Sequence, residues 1–131
     1  MIGLDTNVLV QFLLRDNRLQ SRKAKDLITS LEGDQRAFVS AVVLIELAWV
    51  LRYAYQRSKE EVSDILNQLA RIQSLQIEHA EIFFIAVAAS ANSQVELGDY
   101  FIAGLAQAAG CSCTLTFDRA ASRAAGMTLL I

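Results

Sequence analysis

Apolar positions recur along the chain in two rhythms, short runs suited to strands and three-to-four-residue spacings suited to helices. Met1 to Leu4 reads as a short strand running into Asp5. Beyond it, Thr6 or Asn7 can cap a helix whose apolar face is Leu9, Phe12 and Leu13. Arg18 to Leu31 is expected as a second helix, with Ala24, Leu27, Ile28 and Leu31 at helical spacing and Gly33-Asp34 ending it. Ala37 to Val39 reads as a strand. Ser40 then caps a third helix carrying Val43, Leu44, Leu47, Val50, Leu51 and Ala54. Ser58 and Glu61 have the spacing of a capping box and open a fourth, with Val62, Ile65, Leu66 and Leu69 inward.

The second half continues the alternation. Leu75 to Ile77 is strand-like, and Ala80 to Ala91 is nearly all apolar, which predicts a buried helix. Asp99 starts a helix through Ala109, which Gly110 stops. Cys111 to Phe117 is a strand ending at Asp118, Arg119 to Ala125 a short helix, and Met127 to Ile131 a last strand. Alternating strands and helices with few hairpin turns predict an α/β sandwich with a mainly parallel sheet. With no proline, repeat or linker-like tract, residues 1–131 read as one domain.

Composition narrows the class. Hydrophobic residues make up 53% of the chain, above the roughly 45–50% of ordinary domains, so some can cover a partner surface and a dimer is expected. The longest apolar run, Ile82 to Ala89, falls well short of the ~20 residues a membrane span needs. The first residues lack the basic region of a secretory signal, so a cytoplasmic location without membrane attachment is expected. No GxGxxG or GxxxxGK occurs, which leaves a dinucleotide fold or a phosphate-binding P-loop unsupported. Cys111 and Cys113 stand one residue apart, with the single histidine, His79, distant in sequence; the pair reads as structural and His79 as a helix-start residue. The net charge of −2 runs against the basic balance common in nucleic-acid binders. That objection weakens if acids are concentrated in a metal site, where the cation reverses the local sign.

Four of the fourteen acids stand apart. Sites in open parallel sheets lie outside the carboxyl ends of the strands. Asp5 follows the first strand and Asp118 the Cys111–Phe117 strand. Asp99 sits at a helix start, where the helix dipole tolerates a carboxylate. Glu46 lies in the apolar stretch from Val42 to Leu51; Leu44, Leu47 and Leu51 suggest a buried stripe near it, and burial of an unpaired carboxylate is costly. Each also has an ordinary reading: Asp5 and Asp99 as caps, Asp118 as a turn residue, Glu46 as solvent-facing. The other ten, Glu78 and Glu96 among them, read as solvated faces or caps. Gathered together, four carboxylates would repel one another, and a divalent cation relieves this. Mg²⁺ or Mn²⁺ prefers hard oxygen ligands and keeps waters, one of which can attack a phosphodiester. Thr116, two residues before Asp118, would share its face on a strand. The hydroxyls of Thr116 and Thr6, and the Asn7 side chain, could orient a water or a carboxylate.

These residues resemble PIN-domain nucleases, in particular the VapC-type toxins of bacterial toxin–antitoxin pairs. Ile2-Gly3-Leu4-Asp5-Thr6-Asn7-Val8-Leu9 looks like the family's opening strand with its first metal-binding aspartate. Ser40 through Glu46-Leu47 to Trp49-Val50-Leu51 resembles the segment holding the glutamate. Asp99-Tyr100-Phe101-Ile102-Ala103 and Thr116-Phe117-Asp118-Arg119 resemble the third and fourth acidic motifs. The resemblance implies a PIN-like three-layer sandwich, its central, mainly parallel sheet flanked by helices. It implies Mg²⁺- or Mn²⁺-dependent cleavage of RNA, a homodimer, and inhibition by a VapB-like antitoxin. Asp5, Asp99 and Asp118 would hold the metal, and Glu46 would complete its shell or orient the water. Arg15 and Arg119 are the basic residues taken for RNA contacts, with Arg18, Arg22, Lys23 and Arg52 as further candidates. A non-catalytic or housekeeping PIN domain acting in RNA processing through partner binding is the alternative. A haloacid-dehalogenase-like phosphatase wants a second Asp where Asn7 stands, and a receiver domain lacks its acidic pair and lysine.

Overall fold

The computed structural model describes all 131 residues, Met1 to Ile131, and they form two compact units, Met1–Glu78 and His79–Ile131. The first begins with β1 (Ile2–Gly3), α1 (Thr6–Leu14) and α2 (Arg18–Ser30). β2 (Ala37–Val39), α3 (Ala41–Trp49), α4 (Lys59–Asn67) and β3 (Leu75–Ile77) complete it. Its three strands pair in the order β1-β2-β3, all parallel, with Gly3 opposite Phe38 and Phe38 opposite Gln76. Leu9, Ala37, Val39, Leu44, Leu47, Leu51, Leu66 and Leu69 are wholly buried there. Each buried leucine is worth about 1.5–3 kcal/mol relative to exposure.

Local chemistry sets most of these helix ends. Asp5, with extended backbone, caps α1 through its side chain, rather than Thr6 or Asn7. Asn17 caps α2, Ser40 caps α3, and Ser58 with Glu61 forms the capping box of α4. α1 closes at Arg15, whose left-handed backbone (φ 57°) returns its N–H to the Gln11 carbonyl. α3 runs straight into a π-helical turn, Val50–Ala54, in which the Tyr55 N–H bonds the Val50 carbonyl at 3.0 Å. Such i→i+5 turns are rare insertions into α-helices.

The second unit consists of α5 (Ala80–Ala91), α6 (Leu97–Ala108), β4 (Thr114–Thr116), a 3₁₀ turn (Ala121–Arg123) and β5 (Met127–Leu129). α5 and α6 pack closely because position 104 is glycine: a Cβ there would lie 2.7 Å from Ile82 Cγ2. Phe83 meets Phe101 edge-on at 5.4 Å between ring centroids, a favoured aromatic geometry. β4 and β5 pair in parallel, Leu115 opposite Thr128.

All strand pairing is thus parallel, in two ladders of three and two strands. Three expectations need correction. The strand expected from Cys111 covers only Thr114–Thr116; Cys111 and Cys113 are free, exposed thiols in the turn before it. The helix expected over Arg119–Ala125 is a single 3₁₀ turn. α5 is apolar throughout but not buried throughout: Phe83, Ala86, Val87 and Ser90 face inward while Ile85 is exposed. No helix is long and apolar enough to cross a membrane.

Candidate active site

In the first unit the carboxyl ends of three parallel strands carry an acid, a helix start and another acid. Asp5 lies two residues past β1, on the exposed surface. Its Oδ1 accepts the Thr6 N–H at 2.8 Å, and Oδ2 is left uncommitted. β2 delivers the N-terminus of α3, where Ser40 Oγ accepts the Val43 N–H at 3.2 Å. Glu78 follows β3; its N–H donates to the Val39 carbonyl, and its Oε1 accepts the Ala41 N–H at 2.8 Å. A side chain 37 residues away therefore shares the capping of α3 with Ser40. The sequence grouped Glu78 with the solvated faces and caps. The helix it serves, however, is the one before it, and nothing in the local pattern signals a partner fixed by strand pairing.

Glu46 is not where the sequence argument put it. It sits in the second turn of α3 and is exposed. Leu44, Leu47 and Leu51 form the buried seam, on the side of the helix away from it. The stripe was legible, but Glu46 is two residues from Leu44 and so turns about 200° away. No burial penalty bears on it. Trp49 and Tyr53, exposed beyond it on the same helix, were not singled out.

In the second unit Asp99 lies in the first turn of α6, half-buried. The helix begins earlier than expected, at Leu97 with Glu96 as N-cap, so Asp99 occupies its third position. A carboxylate there still meets the positive end of the helix dipole. Asp118 is exposed two residues past β4. Its Oδ1 accepts the N–H groups of Ala120 and Ala121 at 2.8 and 3.4 Å, which builds the 3₁₀ turn that follows. Its own N–H donates to Thr116 Oγ1 at 3.0 Å, so the Thr116 hydroxyl meets the Asp118 backbone rather than its carboxylate.

The remaining candidates are scattered. Thr6 is buried, and its Oγ1 has no hydrogen-bond partner. Asn7 is exposed and lines a cavity of about 560 Å³ between α1, α2 and the π turn, with Val8, Val10, Ala24, Leu27 and Val50 as its apolar walls. Arg15, Arg18, Arg22, Lys23 and Arg119 are exposed; Arg52 is half-buried and donates to the Arg57 carbonyl at 3.2 Å.

Asp5 and Glu46 belong to one unit and Asp99 and Asp118 to the other. No group of three or more Asp, Glu, His or Cys side chains is drawn together as a metal-holding cluster. The donor chemistry nonetheless suits a hard cation. Asp5 and Asp118 each have one carboxylate oxygen fixed by backbone N–H groups and the other unbonded. Neither they nor Glu46 enter an ion pair; Arg57 and Glu61 do, at 3.6 Å. A carboxylate oriented through one oxygen and open at the other is a prepared oxygen ligand.

A model of the PIN domain matches residues 2–127. None of the curated proteins matches the sequence. Among solved structures the chain is similar to VapBC2 from Rickettsia felis, bound to a DNA fragment from their promoter. The identity is 18%, the TM-score 0.40, and the match covers 99% of this chain and 98% of that one.

Proposed function

This chain belongs to the PIN domain family, and from that premise we propose that it is a divalent-cation-dependent endoribonuclease, the VapC-like toxin of a toxin–antitoxin pair. The observation that carries this reading is the state of the acids. Asp5 and Asp118 are each held at one oxygen by helix or turn N–H groups and open at the other. Asp5 stands at a strand's carboxyl end, where sites form on parallel sheets.

In this reading Asp5, Asp99 and Asp118 present hard oxygen ligands to Mg²⁺, for which Mn²⁺ can substitute. Bound there, the cation supplies charge neutralisation at the phosphate and a water of lowered pKa. The protein's own residues do the rest. Glu46, exposed and outside any ion pair, takes up the proton of the attacking water. The water oxygen bonds to phosphorus as the bond to the leaving ribose oxygen breaks. Thr116 steadies Asp118 through its backbone, while Thr6 and Asn7 flank Asp5 with polar groups. Arg15 and Arg119, both exposed, meet phosphate oxygens away from the cleaved bond. The partners in this reading are RNA, a VapB-like antitoxin and a second copy of the chain. The cavity beside Asn7, lined by apolar residues together with Gln11, Gln20, Lys23 and Tyr55, is of a size to take side chains of a protein partner.

Asp5→Asn is the test. Asparagine caps a helix as well as aspartate does, so circular dichroism and Tm should hold while Mg²⁺-dependent RNA cleavage disappears. Full activity in that variant overturns the assignment.

A further inference from the structure

The second unit carries two reactive groups that neither its core nor the acids use. Cysteine is among the most often buried residue types, and one left in water has no packing role, so its reactivity decides what it does. Cys111 and Cys113, the two cysteines of the chain, are both exposed and both free. Their reading from sequence as structural residues therefore fails.

The segment between them is pinned at both ends. α6 stops at Gly110, whose backbone is left-handed (φ 97°). The Gly110 N–H donates to the Gln107 carbonyl and the Cys111 N–H to the Ala106 carbonyl, each at 3.0 Å. On the far side the Thr114 N–H donates to the Gly126 carbonyl at 2.7 Å, where the β4–β5 ladder starts. Cys111-Ser112-Cys113 is thus a short span with little slack, and it presents two sulfurs one residue apart.

The donor set decides what such a pair can take. Thiolates are soft ligands and select soft cations. Structural zinc wants four ligands, and no third His, Cys, Asp or Glu joins the pair. Cu(I), a closed-shell monovalent ion, is satisfied by two thiolates in a near-linear array. Charge agrees, since His79–Ile131 holds four acids, Glu81, Glu96, Asp99 and Asp118, against two arginines, Arg119 and Arg123. Oxidation is the competing use of two thiols. Cationic neighbours and helix N-termini activate a thiol toward peroxide. The flanking chain offers neither: no lysine or arginine lies between Arg71 and Arg119, and the pair follows the C-terminus of α6. A bridging ion also tolerates a wider sulfur separation than the roughly 2.0 Å of a disulfide.

We propose that Cys111 and Cys113 form a two-coordinate site for a soft monovalent cation, Cu(I). Each thiol gives up its proton as its sulfur bonds the ion, so two protons leave for each Cu(I) gained and no electron moves. The site differs in kind from the carboxylates: hard oxygens take Mg²⁺ or Mn²⁺ and leave Cu(I) to the sulfurs. It stands whether or not the chain cleaves RNA.

The test uses the full chain, reduced and kept free of oxygen, titrated with Cu(I) held by a coloured chelator in the presence of excess glutathione. One equivalent per chain should pass to the protein, and both thiols should then stop reacting with a thiol reagent. Cys111→Ser and Cys113→Ser, at exposed positions, should keep the wild-type Tm. Each should weaken binding by more than the roughly 10–100-fold that loss of a group behind a metal ligand costs. Ser112→Ala should bind as the wild type does, and Zn²⁺ offered in place of Cu(I) should leave the thiols reactive. Failure of Cu(I) to transfer against glutathione overturns the site, as does a full equivalent retained by either serine variant. One ion per two chains, with a dimer that forms only on loading, replaces it with a site shared between copies. Thiols that stay joined as a disulfide under reductant overturn it too.

Discussion

The two units fix their acids by different means. In the first, positions depend on pairing between distant segments. Asp5 follows a strand of two residues held by Phe38, and the start of α3 is capped from β3 by Glu78, across 37 residues. In the second, positions are set locally. Asp118 is held by Thr116, Ala120 and Ala121, all within three residues of it. Asp99 rides in the first turn of α6, two residues before the Phe101 that meets Phe83 of α5. Long-range fixing gives an acid whose place fails when the sheet shifts. Local fixing gives one that keeps its turn while its surroundings change.

That contrast can be broken most severely at Phe101. Phe101→Ala removes a ring buried to 2% exposure against Phe83 and should cost about 3–5 kcal/mol, read from the urea midpoint. Amide exchange should quicken along α5 and α6 while the hydrogen bonds around Asp118 persist. A change within about 0.5 kcal/mol, typical of surface sites, would mean that this core is not what holds α6. Glu78→Ala probes the other unit. It should cost about 1 kcal/mol, as for a lost cap, and shift the Ala41 amide resonance although the two residues are far apart in sequence. An unchanged Ala41 amide would show that Ser40 suffices.

The smallest effect concerns pH. The Ser58 backbone N–H, then the Ser58 hydroxyl and the Arg57 charge, hold the Glu61 carboxylate below the ordinary glutamate value of 4.5. A depressed pKa stabilises the folded form above the unfolded value and is lost as pH falls through the folded one. Protection of the Ser58 amide, relative to its intrinsic exchange rate, should therefore fall only below pH 4.5, and Glu61→Gln should flatten that dependence. Persistence of the full dependence in Glu61→Gln would assign it to another carboxylate.

What could be read beforehand follows the same division. The Ser58–Glu61 box, the bounds of α5 and the stop at Gly110 were legible because their chemistry is contained within a few residues. The start of α6 was misplaced by two residues because Glu96 and Asp99 both suit a helix start, and backbone geometry chose the first. The burial argument for Glu46 failed because apolar neighbours in sequence lie around the whole circumference of a helix. The reach of Glu78 to Ala41 could not be foreseen, since it follows from strand pairing. The four acids were singled out by their places after strands and near helix starts; their hydrogen bonds and exposure had to come from the structure.

The π turn at Val50–Ala54 gives this protein an internal trade-off. A wide turn makes poorer use of the backbone than the α-helix it interrupts, yet here it sets the angle at which Tyr53 stands over Trp49 and brings Arg52 beside the ring. Loss of one residue from the segment would let the helix wind evenly and gain in regularity. The same loss would swing the aromatic pair out of phase. The turn thus gives up helical regularity for the placement of Tyr53 and Arg52 beside Trp49.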